Sequence, residues 1–147
     1  MAKTTLHLEK FLPYRLSVVT NRISGALSRH YADRFGIGIP EWRVIANLGR
    51  HPGITANDVV EQSAMDKVTV SRAVAALESK GLLARKRDIN DKRKSRLTLS
   101  AKGQAVHAEI APLALGFERD LLTALSPDEV AQLERIIDKL NGKMDSL

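Results

Sequence analysis

A run of basic residues between positions 85 and 96 is the part of this sequence best suited to bind a charged partner. It holds seven arginines and lysines and two aspartates, a net charge of +5, whereas the whole chain carries +6. Clustered cations attract phosphate groups and the negative potential of a narrow DNA minor groove. The seven cations are Arg85, Lys86, Arg87, Lys92, Arg93, Lys94 and Arg96.

A second set of polar side chains lies upstream, at the start of a predicted helix. Val70, Val74 and Leu77 recur at helical spacing and predict a buried stripe. The polar residues of this helix lie mostly off the stripe and near the helix N-terminus, where short polar and cationic side chains can contact base edges and phosphates. These residues are Lys67, Thr69, Ser71 and Arg72.

Capping signals predict two short helices joined by a tight turn. Thr55 can cap the first helix, and Asp58, three residues later, adds a negative charge to its first turn. Residues 63–65 form the turn, and Asp66 is the N-cap of the second helix. Gly81 suits the left-handed conformation that ends such a helix.

The residues after this helix pair predict a β-hairpin. Residues 82–87 and 95–99 can form its strands, and residues 88–94 its tip. An apolar stripe is usually core, and a basic hairpin alone is more often a solvated surface. The prediction of a winged helix-turn-helix therefore rests on two capped short helices followed directly by a basic hairpin. The predicted DNA-binding residues are Lys67, Thr69, Ser71, Arg72, Arg87, Asp91, Lys92, Arg93 and Lys94.

Several segments of the chain resemble the MarR family of bacterial transcription regulators. They are residues 77–83, Arg87, residues 91–93 and residues 97–103, together with residues 39–45, which resemble the second-helix motif of that family. The resemblance covers nearly the whole chain. It implies a regulator, most often a repressor. It also implies that Arg93 enters the minor groove and that Asp91 orients the Arg93 guanidinium.

Length and composition predict a single mostly α (α+β) domain spanning residues 1–147. Within it, residues of about 37–99 form the winged helix, and residues of about 9–36 and 100–147 form long N- and C-terminal dimerisation helices. The absence of cysteine excludes disulfides and thiol redox sensing. No apolar run approaches the roughly 20 residues of a membrane span, and the N-terminus lacks a secretion signal, so a cytoplasmic protein is expected.

Outside the helix pair and hairpin, the apolar pattern predicts four more helices. In chain order, the first runs from about Phe11 to Phe35, and the second opens at Pro40. The helix pair supplies the third and fourth, and the fifth runs from Ser100 to about Leu125 with a kink at Pro112. A capping box at residues 126–129 starts the last helix. Residues 1–9 are expected to form a loose arm and residues 49–53 a loop. In the second helix, the inner face is expected to hold Trp42, Ile45 and Leu48, with Val44 at the margin.

The last predicted helix carries a coiled-coil-like seam. Its apolar residues follow a 3-4-3-4 spacing that calls for a partner helix. A homodimer of interlocked terminal helices would meet a palindromic site with half-sites roughly 34–36 Å apart; the alternative is that these helices pack on their own domain. The seam residues are Val130, Leu133, Ile137, Leu140 and Met144.

Enzymatic function finds no support, since the sequence has no glycine-rich phosphate loop, nucleophile motif or Cys/His ligand cluster. No cofactor and no metal are therefore expected. The four histidines, His7, His30, His51 and His107, are far apart in sequence. A zinc site assembled from them with carboxylates is the remaining alternative.

A small-molecule effector is expected to bind where the resemblance implies a pocket, between the first, second and fifth predicted helices. Aromatic rings could stack on a ligand and arginines could pair with its anionic group, which suggests an aromatic acid or its coenzyme A thioester. The candidate ligand-binding residues are Tyr14, Arg22, His30, Trp42, Arg43 and His107. Each of them, taken alone, is more often a core or surface residue.

Two functions from different classes follow from these observations. The first is a ligand-responsive transcription regulator that binds double-stranded DNA as a homodimer. The second is a protein-interaction module that uses the winged helix to bind a partner protein. The salt dependence of DNA affinity distinguishes them, because binding to phosphates releases counterions.

Overall fold

The computed structural model describes residues 4–147, which form seven α-helices and one two-stranded antiparallel sheet. The predicted mostly helical class with a winged helix-turn-helix is therefore confirmed. The chain divides into two compact units, one ending at Ala111 and the other beginning at Pro112. The helices are α1 (Leu12–Ser28), α2 (Ala32–Phe35), α3 (Ile39–Arg50), α4 (Ala56–Ser63), α5 (Lys67–Ser79), α6 (Ala101–Leu122) and α7 (Pro127–Asp145), and the strands are β1 (Leu83–Arg87) and β2 (Ser95–Leu99).

The core of the first unit forms where α3 packs on α5. Val70, Val74 and Leu77 are buried on α5, as predicted, and Val44 is fully buried on α3. The expected place of Val44 at the margin is thus wrong, and Trp42 is only half-buried. A wide inner face, rather than a single row, is what a helix needs when it packs on neighbours at both flanks.

Local side-chain caps define the helix-turn-helix. The hydroxyl of Thr55 accepts the Asp58 amide at 3.1 Å, and the Asp58 carboxylate accepts the Thr55 amide at 2.9 Å. Ala64 turns the chain in the left-handed conformation at φ +57°. The Asp66 carboxylate then accepts the Thr69 amide at 2.8 Å and starts α5. The predicted caps of both helices are confirmed.

The hairpin is the wing of the fold, and it is attached at both ends. Gly81 has φ +72°, which confirms the left-handed conformation expected after α5. Strand β1 starts at Leu83, one residue later than predicted, and Leu83 pairs with Leu99. Leu97 also forms an antiparallel bridge with Ile54, so the wing is joined to the segment before α4.

The single helix predicted between Phe11 and Phe35 is wrong. Helix α1 ends at Ser28, and a tight turn separates it from the short α2. The amides of His30 and Tyr31 bond to the carbonyls of Leu27 and Ser28, three residues earlier, and this tighter pattern ends the helix. The turn places the Tyr31 ring in the core, where it is buried.

Two predicted loops also prove shorter than expected. Helix α3 continues to Arg50, so only residues 51–53 of the expected 49–53 loop are irregular. A 3-10 turn at Leu8–Lys10 begins inside the arm expected at residues 1 to about 9 and ends one residue beyond it. Residues 1–3 of that arm lie outside the described part of the chain.

Helix α6 starts against the wing. The Ser100 hydroxyl accepts the Gly103 amide at 3.0 Å, which confirms Ser100 as its N-cap, and donates to the Gly81 carbonyl at 2.6 Å. Gly103 is buried so closely against Leu82 that an added Cβ would collide with the Leu82 carbonyl oxygen. The helix ends at Leu122, short of the predicted Leu125, and is continuous at Pro112. The kink there stays a prediction.

The second unit contains α7, whose capping box is confirmed. The Ser126 hydroxyl accepts the Glu129 amide at 3.2 Å, and the Glu129 carboxylate accepts the Ser126 amide at 2.9 Å. Four of the five predicted seam residues on α7 are exposed in this single chain. Among residues 4–147 no helix is both long enough and apolar enough to cross a membrane.

Candidate nucleic-acid interface

The outward face of α5 carries most of the predicted base-contacting residues. Lys67, Ser71 and Arg72 are exposed, as expected for residues opposite the buried stripe. Thr69 is half-buried, and its hydroxyl donates to the Asp66 carboxylate at 2.9 Å, so its side chain serves the cap. Val68, which is not among the predicted DNA-binding residues, is 59% exposed on the same face.

The polar residues of α5 divide between two flanks of the helix. Lys67 and Ser71 line a hollow of about 250 Å³ beside α4 and β1, which also includes Arg85. Thr69 and Arg72 line a different hollow of about 390 Å³, beside the start of α3. The outward face of α5 is thus flanked by Lys67 and Ser71 on one side and by Thr69 and Arg72 on the other.

A larger hollow, of about 520 Å³, connects the start of α4 to the wing. Its lining includes Arg85, Arg93 and Lys94. Because Arg85 also lines the hollow beside Lys67, the basic residues of the wing and the N-terminal residues of α5 belong to one continuous surface. This surface is concave and cationic, the form that a DNA backbone requires.

The wing turn is organised by a buried carboxylate, Asp88. Only 8% of Asp88 is exposed, and within the described residues it is the one charged residue that is buried. Its Oδ1 accepts the Asn90 amide at 2.8 Å and the Asp91 amide at 3.2 Å. These amides, and after them the Arg96 guanidinium, hold the pKa of Asp88 below its usual range, because each favours the ionised form.

Arg96 has a structural role that the sequence did not reveal. Its Nε donates to Asp88 Oδ2 at 2.8 Å, and its Nη1 donates to the Gly53 carbonyl at 2.9 Å. Arg96 also faces Lys86 across the hairpin, and the Asp88 charge offsets the repulsion between them. One of the seven cations therefore holds the wing to the loop before α4.

The predicted wing pair is brought together in the structure. The Asp91 carboxylate accepts the Arg93 amide at 3.0 Å and lies 3.5 Å from Arg93 Nε. The Arg93 side chain is 93% exposed, so its guanidinium is oriented and still accessible. Lys92 and Lys94 are exposed around it, and Arg87 lines a separate hollow on the wing.

The predicted ligand-binding residues fall into two groups. The Trp42 ring centroid lies 6.0 Å from that of His107 and 5.9 Å from that of Tyr31. Arg43, the next residue of α3, donates to the Ser24 hydroxyl at 3.0 Å. These contacts join α1, α3 and α6, which correspond to the first, second and fifth predicted helices.

Tyr14 and Arg22 form the other group. They line a shallow hollow of about 310 Å³ on α1, which includes none of Trp42, Arg43 and His107. His30 lies in the exposed turn after α1. Side-chain type and the pocket implied by the resemblance therefore grouped residues that the fold distributes over different surfaces.

Two residues beside Trp42 and His107 were not predicted, namely Tyr31, whose ring lies near that of Trp42, and Gly49, which adjoins His107. Burial raises the pKa of the Tyr31 hydroxyl, although the Arg43 charge acts in the opposite direction. Gly49 permits the approach of His107, because an added Cβ would lie 2.5 Å from His107 Nε2. Gly49 was predicted to lie in a loop, whereas it lies in α3, where the absence of a side chain leaves space for His107. In the described part of the chain, no group of three or more potential metal ligands comes together.

The fold and this surface define a class of protein. A short helix with a polar outward face follows a capped turn, and a basic hairpin lies beside it on one surface. This is the winged helix-turn-helix arrangement of DNA-binding transcription regulators.

Comparison with known proteins identifies the family. The sequence profile of the MarR family matches residues 35–94. A MarR family transcriptional regulator from Silicibacter pomeroyi is 31% identical, with a TM-score of 0.80 and coverage of 94% of this chain and 93% of that one. The transcriptional regulator HosA of Escherichia coli is 28% identical over 101 residues, 69% of this chain and 75% of HosA. The chain belongs to the MarR family of transcription regulators.

A third protein shares this fold at lower sequence identity. BpsR of Bordetella bronchiseptica is 23% identical, with a TM-score of 0.82 and coverage of 94% of this chain and 98% of that one. Its DNA binding is regulated by 6-hydroxynicotinic acid.

Acid should loosen the wing turn through Asp88. Since the pKa of Asp88 is depressed in the folded wing, its contribution is complete above the unfolded value of about 3.9 and is lost as the pH falls through the folded value. We expect the amide resonances of Asn90 and Asp91 to move toward random-coil positions only as the pH falls below the unfolded value of about 3.9.

The Asp88→Asn variant should show such positions already at neutral pH, because the amide retains an acceptor oxygen but has no charge to hold Arg96. Asp138→Asn, on α7, is the matched control and should leave the wing resonances unchanged. Native wing resonances in the Asp88→Asn variant would contradict this role.

Proposed function

We propose that this protein is a ligand-responsive repressor that binds a palindromic DNA operator as a homodimer and is released by a small anionic aromatic compound. The observation that carries the proposal is the continuous surface shared by the start of α5, the start of α4 and the basic wing. Residues of about 37–99 would contact DNA, and residues of about 9–36 and 100–147 would hold the dimer. A regulator of this kind acts in the cytoplasm.

In this proposal the two reading elements enter different grooves. Helix α5 presents Lys67, Ser71 and Arg72 to base edges and phosphates of the major groove. Arg93 enters the adjacent minor groove, and the Asp91 carboxylate, 3.5 Å from Arg93 Nε, favours that orientation of the guanidinium. Arg87, Lys92 and Lys94 are left for the phosphates beside the groove.

The proposed homodimer would cover apolar faces that are exposed in the single chain. On α7, Leu133, Ile137, Leu140 and Met144 are all at least two-fifths exposed, although they follow a coiled-coil spacing. On α1, Leu12 and Leu16 are exposed as well. Burial of such faces against a second copy gains hydrophobic free energy, and two-fold symmetry would match a palindrome with half-sites roughly 34–36 Å apart.

The proposed effector site is the cluster around Trp42. In this proposal an aromatic ring stacks on Trp42 beside His107, and its carboxylate pairs with the guanidinium of Arg43, the next residue of α3, which donates to the Ser24 hydroxyl in this structure. Tyr14 and Arg22 repeat this combination of ring and cation on α1. The aromatic acid that regulates BpsR supports the ligand class, a phenolic acid or its coenzyme A thioester.

Replacement of Arg93 by alanine should weaken DNA binding about tenfold for each half-site, because a charge-assisted contact in the minor groove is lost. Fluorescence anisotropy with a duplex obtained by selection from random sequence measures this. Arg34→Ala is the matched control, since Arg34 is also exposed and also pairs with a carboxylate, that of Glu109 at 3.1 Å.

The affinity of the unaltered protein should fall steeply with salt, with a slope of about −0.9 for each phosphate contacted in log–log form. A protein-interaction module would show neither this slope nor a preferred duplex. Equal affinity of the Arg93→Ala and Arg34→Ala variants would refute the assignment of the wing.

Replacement of Ile137 by aspartate should dissociate the proposed dimer. In the dimer the new carboxylate would be buried in an apolar seam without a partner, which costs on the order of 3 kcal/mol. Light scattering after size exclusion measures the mass. Gln132→Asp adds the same charge on the opposite side of α7 and should remain dimeric; a monomeric unaltered protein at micromolar concentration would defeat the proposal.

A panel of aromatic acids and their coenzyme A thioesters should contain compounds that raise the melting temperature and release DNA. The coupling expected between effector and DNA is about 5- to 150-fold in affinity. Arg43→Gln should weaken the response to acids about tenfold, because the charged partner of the carboxylate is lost, whereas Arg34→Gln should not. If no compound changes either the melting temperature or the DNA affinity, the ligand class is wrong.

A further inference from the structure

Val68 occupies the outermost position of α5. It lies between the flank of Lys67 and Ser71 and the flank of Thr69 and Arg72, which line separate hollows. Its side chain is 59% exposed, whereas Val70, two residues later, is 1% exposed. Any approach that brings the two polar flanks of α5 to a partner brings Val68 to it first.

The fold gives no reason for a valine at this position. Val68 is absent from the buried core and from the partly buried residues that pack against it. A β-branched side chain also has a slightly lower helix propensity than alanine or lysine. Single exposed apolar residues are common on protein surfaces, so the inference rests on the position of Val68 among the base-contacting candidates and not on its exposure alone.

A valine in contact with base edges in the major groove distinguishes the bases because its side chain forms no hydrogen bonds. It neither donates nor accepts a hydrogen bond, so opposite a polar base edge it displaces water and leaves that edge unpaired. The C5-methyl group of thymine is the apolar group that this groove presents. Contact between the valine methyl groups and that methyl group removes apolar surface from water on both sides.

We propose that Val68 is a specificity-determining residue that selects a thymine in each half-site by packing on its C5-methyl group. The inference rests on the proposed function, because it requires α5 to enter the major groove. The Val68 contact adds an apolar interaction to a DNA-binding surface whose other proposed contacts are polar or charged. The inference also assigns a role in base selection to a residue between Lys67 and Thr69, of which Thr69 is engaged by Asp66.

The test uses the full-length protein and chemically modified duplexes. A preferred duplex is selected from random sequence, and each thymine is replaced in turn by deoxyuridine, which removes only the methyl group. At one thymine in each half-site, we expect the affinity of the unaltered protein to fall about fourfold per half-site, the effect of burying one methyl-sized group.

The Val68→Ala variant should bind the thymine and deoxyuridine duplexes with equal affinity, since its side chain no longer reaches the methyl group. A second comparison places cytosine or 5-methylcytosine at the same position, where the base pair is otherwise identical. The unaltered protein should prefer the methylated form, and Val68→Ala should not. Melting temperatures establish that the variant is folded, which is expected because Val68 contributes nothing to the core.

The outcomes separate this inference from the function on which it rests. Failure to bind any duplex in preference to random competitor overturns the proposed function and the role of Val68 with it. Sequence-specific binding overturns the inference alone if no half-site thymine is sensitive to loss of its methyl group. The same conclusion follows if Val68→Ala keeps the sensitivity, or if the selected half-sites contain no thymine.

Discussion

The packing of α5 on α3 fixes which face of α5 can meet another molecule. Val70, Val74 and Leu77 are buried against a core that includes Val44 and Leu48, and rotation of α5 about its axis would expose these residues to water. The loss of apolar burial, about 25 cal/mol for each Å² exposed, opposes any such rotation. The outward direction of Lys67, Val68 and Arg72 is therefore set by the core, on the opposite side of the helix.

The wing achieves a fixed geometry by other means. It has two short strands and little core of its own, and its tip is organised by the buried carboxylate of Asp88, which accepts two backbone amides and an arginine. Electrostatic and hydrogen-bonding contributions replace apolar packing at this point. Arg96 extends the same network to the Gly53 carbonyl, so the position of the tip depends on a residue in a distant part of the sequence. Ile89, beside Asp88, is 96% exposed and takes no part in this organisation.

Local signals explain which parts of the fold could be predicted from the sequence. The caps at Thr55, Asp66 and Ser126 act within three residues, and the two strands of the hairpin follow from a local change of pattern, so these elements were predicted. The break after Ser28 was missed because the burial of Tyr31 is decided by residues of α3, far along the chain. The role of Arg96 was missed for the same reason, since its partner Gly53 lies 43 residues away.

The candidate site shows a different limit. Charge and polarity indicated the basic wing and most of the outward residues of α5. Selection by polarity also predicted Thr69 to contact DNA and left out Val68. An apolar residue in a sequence is taken for core until its neighbours are known, and a polar residue is taken for surface. In the structure the apolar Val68 is 59% exposed, and the half-buried Thr69 directs its hydroxyl to the Asp66 carboxylate.

The contact between Gly103 and Leu82 links the wing mechanically to the helix that follows it. The backbone of α6 touches the residue before β1 with no side chain between them, and the Ser100 hydroxyl bonds to Gly81 at the same place. Two segments in such contact cannot move independently without steric overlap or loss of that bond. A displacement of the first turn of α6 would therefore have to carry the base of the hairpin with it or break this contact and this hydrogen bond.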